Sequence, residues 1–161
     1  MLRILVLALA LTLGCVNTAL AGPFSSKKPV IVGRAGDWAQ REVEALQQAA
    51  LVWNTLIGRP VLLIVEHPAK VDLWISPVLG YEEAGTLAVT HLNLEPQQIT
   101  YLSVLRCKPR LQLAVFIHEF GHALGLDHNS NKDSVMYPSA QENGPLLPLP
   151  DDVEKVQELW N

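Results

Sequence analysis

Charge is scarce in this chain. Asp, Glu, Lys and Arg make up 17% of its 161 residues, and the formal net charge is −4. Without a basic excess there is no electrostatic case for nucleic acid or an anionic membrane surface as partner. Cysteine is scarcer still. Two residues, Cys15 and Cys107, cannot make a disulfide-stapled miniprotein or a cysteine-rich zinc module. Gly-rich phosphate loops of the common spacings are missing, which argues against a nucleotide enzyme. Internal repeats and low-complexity stretches are missing too. Apolar residues are plentiful at 49%, enough for a packed core and too many for a disordered chain. The length suits one domain.

The long apolar run is at the start. Residues 1–3 are a short basic opening, residues 4–13 are apolar, and Ala19-Leu20-Ala21 puts small residues at both positions that a signal peptidase reads. The expectation is a cleaved secretory signal over residues 1–21, followed by a single domain over 22–161 in a secreted or periplasmic protein. The stretch 4–21 contains Asn17 and is short for a membrane span. Leu13-Gly14-Cys15 offers a second exported form, a lipoprotein anchored through Cys15. Either cut removes or modifies Cys15, so Cys107 is left without an internal disulfide partner.

Apolar spacing lays out the elements. A short strand over 30–32 stops at Gly33. Asp37 is the expected N-cap of a helix, with Gln40 as reciprocal partner. Leu46, Ala49, Ala50, Trp53, Leu56 and Ile57 recur every three or four residues, giving a helix of about five turns closed by Gly58 and Pro60. Trp53 belongs to its core face. Residues 61–65 are continuously apolar and read as a central strand buried on both faces. Strands over 71–78, 86–92 and 99–104 follow. A second long helix covers 111–125, with Pro109 in its first turn. Val115, Phe116, Phe120 and Ala123 are the residues expected against the sheet. After a loop rich in proline and leucine, Asp151 caps a last helix over 152–160, with Val153, Val156 and Leu159 or Trp160 inward. The fold class is α+β, or mixed α/β: one twisted sheet of about five strands, two long helices and a C-terminal helix.

The second helix carries the chemistry. His118-Glu119-Phe120-Gly121-His122 is H-E-x-x-H, and residues four apart on a helix lie about 40° apart on one face. Two imidazoles therefore reach one metal ion together. Glu119 sits one step round the helix, beside the metal, where a base can take a proton from water. Gly125 can turn the chain sharply, and His128 three residues later can return as a third ligand. All five fixed positions of H-E-x-x-H-x-x-G-x-x-H are filled. Three histidine ligands leave one tetrahedral position open, the arrangement of a catalytic zinc.

Met136 follows, in Ser134-Val135-Met136-Tyr137-Pro138. The long histidine motif followed by a Met-turn is the metzincin signature. On these residues the chain resembles the metzincin zinc endopeptidases. Leu113-Ala114-Val115-Phe116-Ile117, Met136-Tyr137-Pro138 and Leu149-Pro150-Asp151-Asp152-Val153 make it most similar to the matrixins, the matrix metalloproteinase group. The order of elements is similar as well.

That resemblance implies one catalytic Zn2+ held by His118, His122 and His128. It implies Glu119 as general base, Met136 as a hydrophobic floor beneath the metal, and Tyr137 and Pro138 in the wall of the specificity pocket. Ala114, one turn before His118, corresponds to a position that lines the pocket for the residue just after the scissile bond. Alanine leaves that pocket open to a large apolar residue. The implied partner is a peptide or protein substrate in extended conformation.

Departures from the family pattern are also visible. Residues 22–29 hold no cysteine and are too few for a cysteine-switch propeptide, so a compact form without one is expected. His67 and His91 lie outside any ligand-like cluster, so a second, structural zinc is not expected. Structural Ca2+ has only Asp72 and Glu82-Glu83 as candidates. Cys107 enters the metal helix and is expected to be a buried, inert thiol. Two other readings stay open: a metal-holding peptide-binding module without turnover, and a zinc hydrolase acting on a non-peptide substrate.

Overall fold

The computed structural model describes residues 28–78, 88–91, 97–102, 109–139 and 144–160. The signal, Cys15, Glu82, Glu83 and Cys107 lie outside the described residues. The elements run β1 Val30–Arg34, α1 Gln40–Ile57, β2 Leu62–Val65, β3 Leu73–Val78, β4 Ala88–His91, β5 Gln97–Leu102, α2 Pro109–Ala123 and α3 Pro150–Trp160.

The five strands form one sheet in the order β2-β1-β3-β5-β4. β1 pairs in parallel with β2 and β3, and β3 with β5. β4 runs antiparallel to β5, with Thr90 opposite Ile99. Parallel neighbours need a crossover, and α1 supplies it between β1 and β2. Alternation then sorts the side chains. Val30 and Val32 of β1, Leu62 of β2, and Leu73 and Ile75 of β3 are buried with Leu46, Ala49, Ala50 and Trp53 of α1. Phe116, Ile117, Phe120 and Ala123 of α2 complete the same core. Burial of each large side chain contributes roughly 1.5–3 kcal/mol, so this layer of helices on a sheet is what fixes α2 in place.

Four expectations are corrected. β2 is an edge strand with Leu63 40% exposed, because a continuous apolar run does not reveal how many neighbours a strand has. Its entry is pinned by Asn54, whose Oδ1 accepts Val61 and Leu62 N–H at 2.8 and 2.9 Å and whose Nδ2 donates to Leu62 O. β1 does not stop at Gly33 but runs to Arg34. A Cβ at Gly33 would stand 2.8 Å from Trp74 Cζ3 and 2.9 Å from Val71 Cγ2, so the missing side chain is space for Trp74 and not a break.

The N-cap of α1 is Ala39, not Asp37. The reciprocal partner is Glu42, whose Oε2 accepts Ala39 N–H at 2.9 Å; Trp38 Nε1–H donates to Ala35 O and folds the preceding turn. Last, α3 starts at Pro150 rather than 152. Asp152, buried, accepts Leu149 N–H at 3.1 Å, so Asp151 is not its cap. The inner face carries Val156 and Trp160, while Leu159 is exposed. Trp160 Nε1–H donates to Leu124 O at 3.1 Å and docks α3 onto the end of α2.

Candidate metal centre

The metal motif begins on α2 and ends just beyond it. α2 closes in a Schellman turn: Leu126 N–H donates to Gly121 O at 2.9 Å and Gly125 N–H to His122 O at 3.0 Å. Gly125 takes φ 104°, a backbone that only glycine adopts without strain. The reversal brings His128 back beside His118 and His122. Ligand nitrogens of the three lie within 4.8 Å of one another, with ring centroids 4.7 to 5.2 Å apart.

Two backbone carbonyls decide what those nitrogens offer. His118 Nδ1 is 2.8 Å from Val135 O, and His122 Nδ1 is 2.8 Å from Leu126 O. A carbonyl only accepts, so each Nδ1 carries the hydrogen and each Nε2 presents a lone pair. Burial holds the rings neutral, pushing His118 down to about 3 and His122 to about 4; His128 is lowered by the same cause. The Nε2 atoms of His118 and His122 face each other at 3.0 Å. Two lone pairs at that distance repel unless a cation lies between them. Three neutral imidazoles, two of them with oriented tautomers, are a donor set that zinc takes, so the residues fit the metal.

Glu119 follows His118 on α2 and is 5% exposed. The Thr90 hydroxyl of β4 donates to its Oε2. Burial pushes the carboxyl up to about 7, and the Thr90 hydrogen bond opposes the shift.

Residues 87–161 match the Matrixin family model. This stretch belongs to the matrixin family. Over 50 residues the chain is 48% identical to a matrilysin of Felis catus, covering 30% of this chain and 19% of that one. It is 52% identical over 48 residues to matrix metalloproteinase-9 of Canis lupus familiaris, 29% of this chain and 6% of that one. To the metalloendoproteinase 4-MMP of Arabidopsis thaliana it is 46% identical over 48 residues, 29% and 14%. The chain thus spans less than a fifth of the length of these relatives.

The matrixin stretch also contains the support of the site. Met136 is fully buried. Gly121 faces it across the metal helix: a Cβ there would strike Met136 Sδ, 2.9 Å from its Cε and 3.2 Å from Trp53 Cζ2. Trp53 reaches under the same helix and donates Nε1–H to Ile117 O at 2.9 Å. The loop after His128 is tied to the Met-turn through α3. Asp152 Oδ2 accepts the Ser134 hydroxyl at 2.7 Å, and Oδ1 accepts Asn129 Nδ2 at 3.0 Å. Ser134 Oγ in turn accepts Met136 N–H, and Asn129 N–H donates to Met136 O, both at 2.9 Å.

The structure brings His118, His122 and His128 together, and places Glu119 directly after His118 on α2 and Ala114, buried, one turn before His118. Tyr137 and Pro138, half-buried, directly follow Met136. Asp72 is committed elsewhere: its Oδ2 accepts Ile31 N–H at 3.0 Å and its Oδ1 lies 3.8 Å from the Lys70 ammonium. His67 is exposed. Among the described residues, His118, His122 and His128 are the group of three ligating side chains close enough to share an ion. Sequence reasoning missed Thr90, Gly121, Ser134, Asn129 and Asp152. Only the spacing in Ser134-Val135-Met136 hints at a local side-chain turn; the others depend on contacts across 15 or more residues.

Proposed function

We propose that the chain is an exported zinc endopeptidase with one catalytic domain over residues 22–161, cutting peptides held in extended conformation. The observation that carries this is the pair of Nε2 atoms of His118 and His122 facing each other 3.0 Å apart, with the buried Glu119 next to His118 on the same helix. His118, His122 and His128 would hold the ion. When bound, zinc supplies a Lewis acid for the scissile carbonyl and makes water easier to deprotonate. Glu119 acts as general base, taking the proton on a carboxylate oxygen and delivering it to the leaving nitrogen. Its burial keeps bulk water from competing for that proton.

Met136 serves as the apolar floor that keeps the histidine helix and the His128 loop at one separation. β4 ends the described sheet, and an edge strand can pair with a substrate backbone regardless of its sequence. Specificity then falls to the pocket between Ala114 and Tyr137-Pro138, open to a large apolar residue after the cut. Export rests on the pattern of residues 1–21; among the described residues no helix is long and apolar enough to cross a membrane.

The test is metal analysis with cleavage of an unbiased peptide library. The wild type should hold one zinc per chain and cleave. Glu119→Ala should keep zinc and lose activity by at least about 10². A protein that binds zinc and peptide without cleaving is a binding module, and a Glu119→Ala protein with wild-type rates removes the base assignment.

A further inference from the structure

Glu119 can serve as a base only in a defined orientation. A glutamate side chain has three rotatable bonds, and a general base works only when its oxygen is held near the proton it takes. One side chain in the described structure does that holding. Thr90 stands in the middle of β4, two residues from the buried Ala88 and so on the same face of the sheet. That face looks at α2, which packs across β4. The Thr90 hydroxyl donates to Glu119 Oε2 and its Oγ1 also lies 3.5 Å from the Glu119 carbonyl O. No hydrogen bond among the described residues reaches Oε1. Among the described residues the two carboxylate oxygens are therefore unlike: one is anchored to the strand and the other is not.

A threonine facing a helix from a strand is ordinarily there for its β-branched packing. Packing alone would be served equally by valine, which has the same shape. The hydroxyl on a buried carboxylate is the feature that valine lacks.

We propose that Thr90 is a positioning residue for Glu119: it fixes Oε2, leaves Oε1 as the proton-carrying oxygen, and ties the base to the strand that lies along the substrate. This rests on the endopeptidase reading. Substrate seated against β4 would then register the base as well as the backbone, an interaction that matters in the transition state and little in ground-state binding.

The experiment compares Thr90→Val and Thr90→Ser with the wild type, each as the zinc-loaded protein. Thr90→Val should keep one zinc per chain and a KM within about twofold, and lose at least about tenfold in kcat, the weight of one hydrogen bond to a charged group. Thr90→Ser should restore most of the rate. A second readout needs neither zinc nor turnover. In zinc-free protein labelled with 13C-glutamate, the Glu119 Cδ resonance, identified by its loss in Glu119→Gln, should move in Thr90→Val and hold in Thr90→Ser. Wild-type kcat in Thr90→Val overturns the proposal. So does equal impairment of both variants, or loss of zinc by Thr90→Val, which would make Thr90 a part of the metal site's scaffold. If the wild type cleaves no peptide, the endopeptidase reading fails by itself, and an unmoved Cδ resonance in Thr90→Val would overturn the anchoring separately.

Discussion

Asp152 is the residue whose loss should reach farthest into the site without touching it. Its carboxylate is 1% exposed and accepts from the Ser134 hydroxyl, Asn129 Nδ2 and Leu149 N–H. Hydrogen bonds to a charged group are worth about 1.5–3 kcal/mol each, and they do not add. Truncation also leaves the Ser134 and Asn129 groups short of a partner. Asp152→Ala should therefore cost about 3–5 kcal/mol, in the range of other broken buried polar networks.

Asp152→Asn is the sharper probe. One amide oxygen can take the place of Oδ2 and still accept two hydrogen bonds, but the NH2 then faces the Asn129 NH2. Asn129 cannot turn over freely, because its own Oδ1 accepts Asn131 N–H at 2.9 Å. One hydrogen bond is lost and two donors collide, so about 1–2 kcal/mol is expected. Urea unfolding of the zinc-free proteins measures both. The functional consequence follows from Ser134 and Asn129, which hold the Met136 backbone from either side. Zinc affinity should fall in the same order, wild type above Asp152→Asn above Asp152→Ala, read by competition with a chromophoric chelator. The reasoning is refuted if Asp152→Ala unfolds within 1 kcal/mol of the wild type, on the scale of a neutral surface change, or if Asp152→Asn is the less stable of the two.

Gly121→Ala should lose about 1–2 kcal/mol, since overpacking against Met136 and Trp53 outweighs the gain of roughly 1 kcal/mol in helix propensity; a thermal melt at or above the wild-type midpoint would show that Met136 moves aside. His128→Ala should lose most of the zinc, which metal analysis after dialysis reads; full retention would remove His128 from the ligand set. The zinc-free protein should lose stability as pH falls below 6.5. The unfolded state then protonates His118 and His122, which in the folded state wait until about 3 and 4. Glu119 works in the opposite direction, binding a proton in the folded state between 4.5 and about 7, but it offsets only one of the two histidines. Urea midpoints from pH 7 to 5 in chelator check the sign, and a flat or rising profile on acidification would contradict buried neutral rings. Ala114→Arg should fill the pocket and turn the preference after the cut from large apolar to small residues; an unchanged library profile would take Ala114 out of the pocket.

The sequence by itself determined the candidate metal site. His118, Glu119, His122, Gly125 and His128 lie within eleven residues, so helix geometry and one glycine turn bring them near one another, and their spacing is legible on paper. The number of strands and the long helices were legible for the same reason: each is a local pattern of apolar residues. What tertiary structure decided is everything set by neighbours far along the chain. β2 looked central because its residues are apolar, yet whether a strand has one neighbour or two depends on where β1 is placed, not on its own composition. Gly33 looked like a stop because nothing local announces that Trp74 will lie across it. Asp151 and Asp152 are identical in type and adjacent; only the meeting of α3 with the Met-turn makes one exposed and the other the buried anchor of Ser134 and Asn129. Thr90 and Glu119 are 29 residues apart, and no periodicity connects a strand threonine to a helix glutamate until the sheet and α2 are packed face to face.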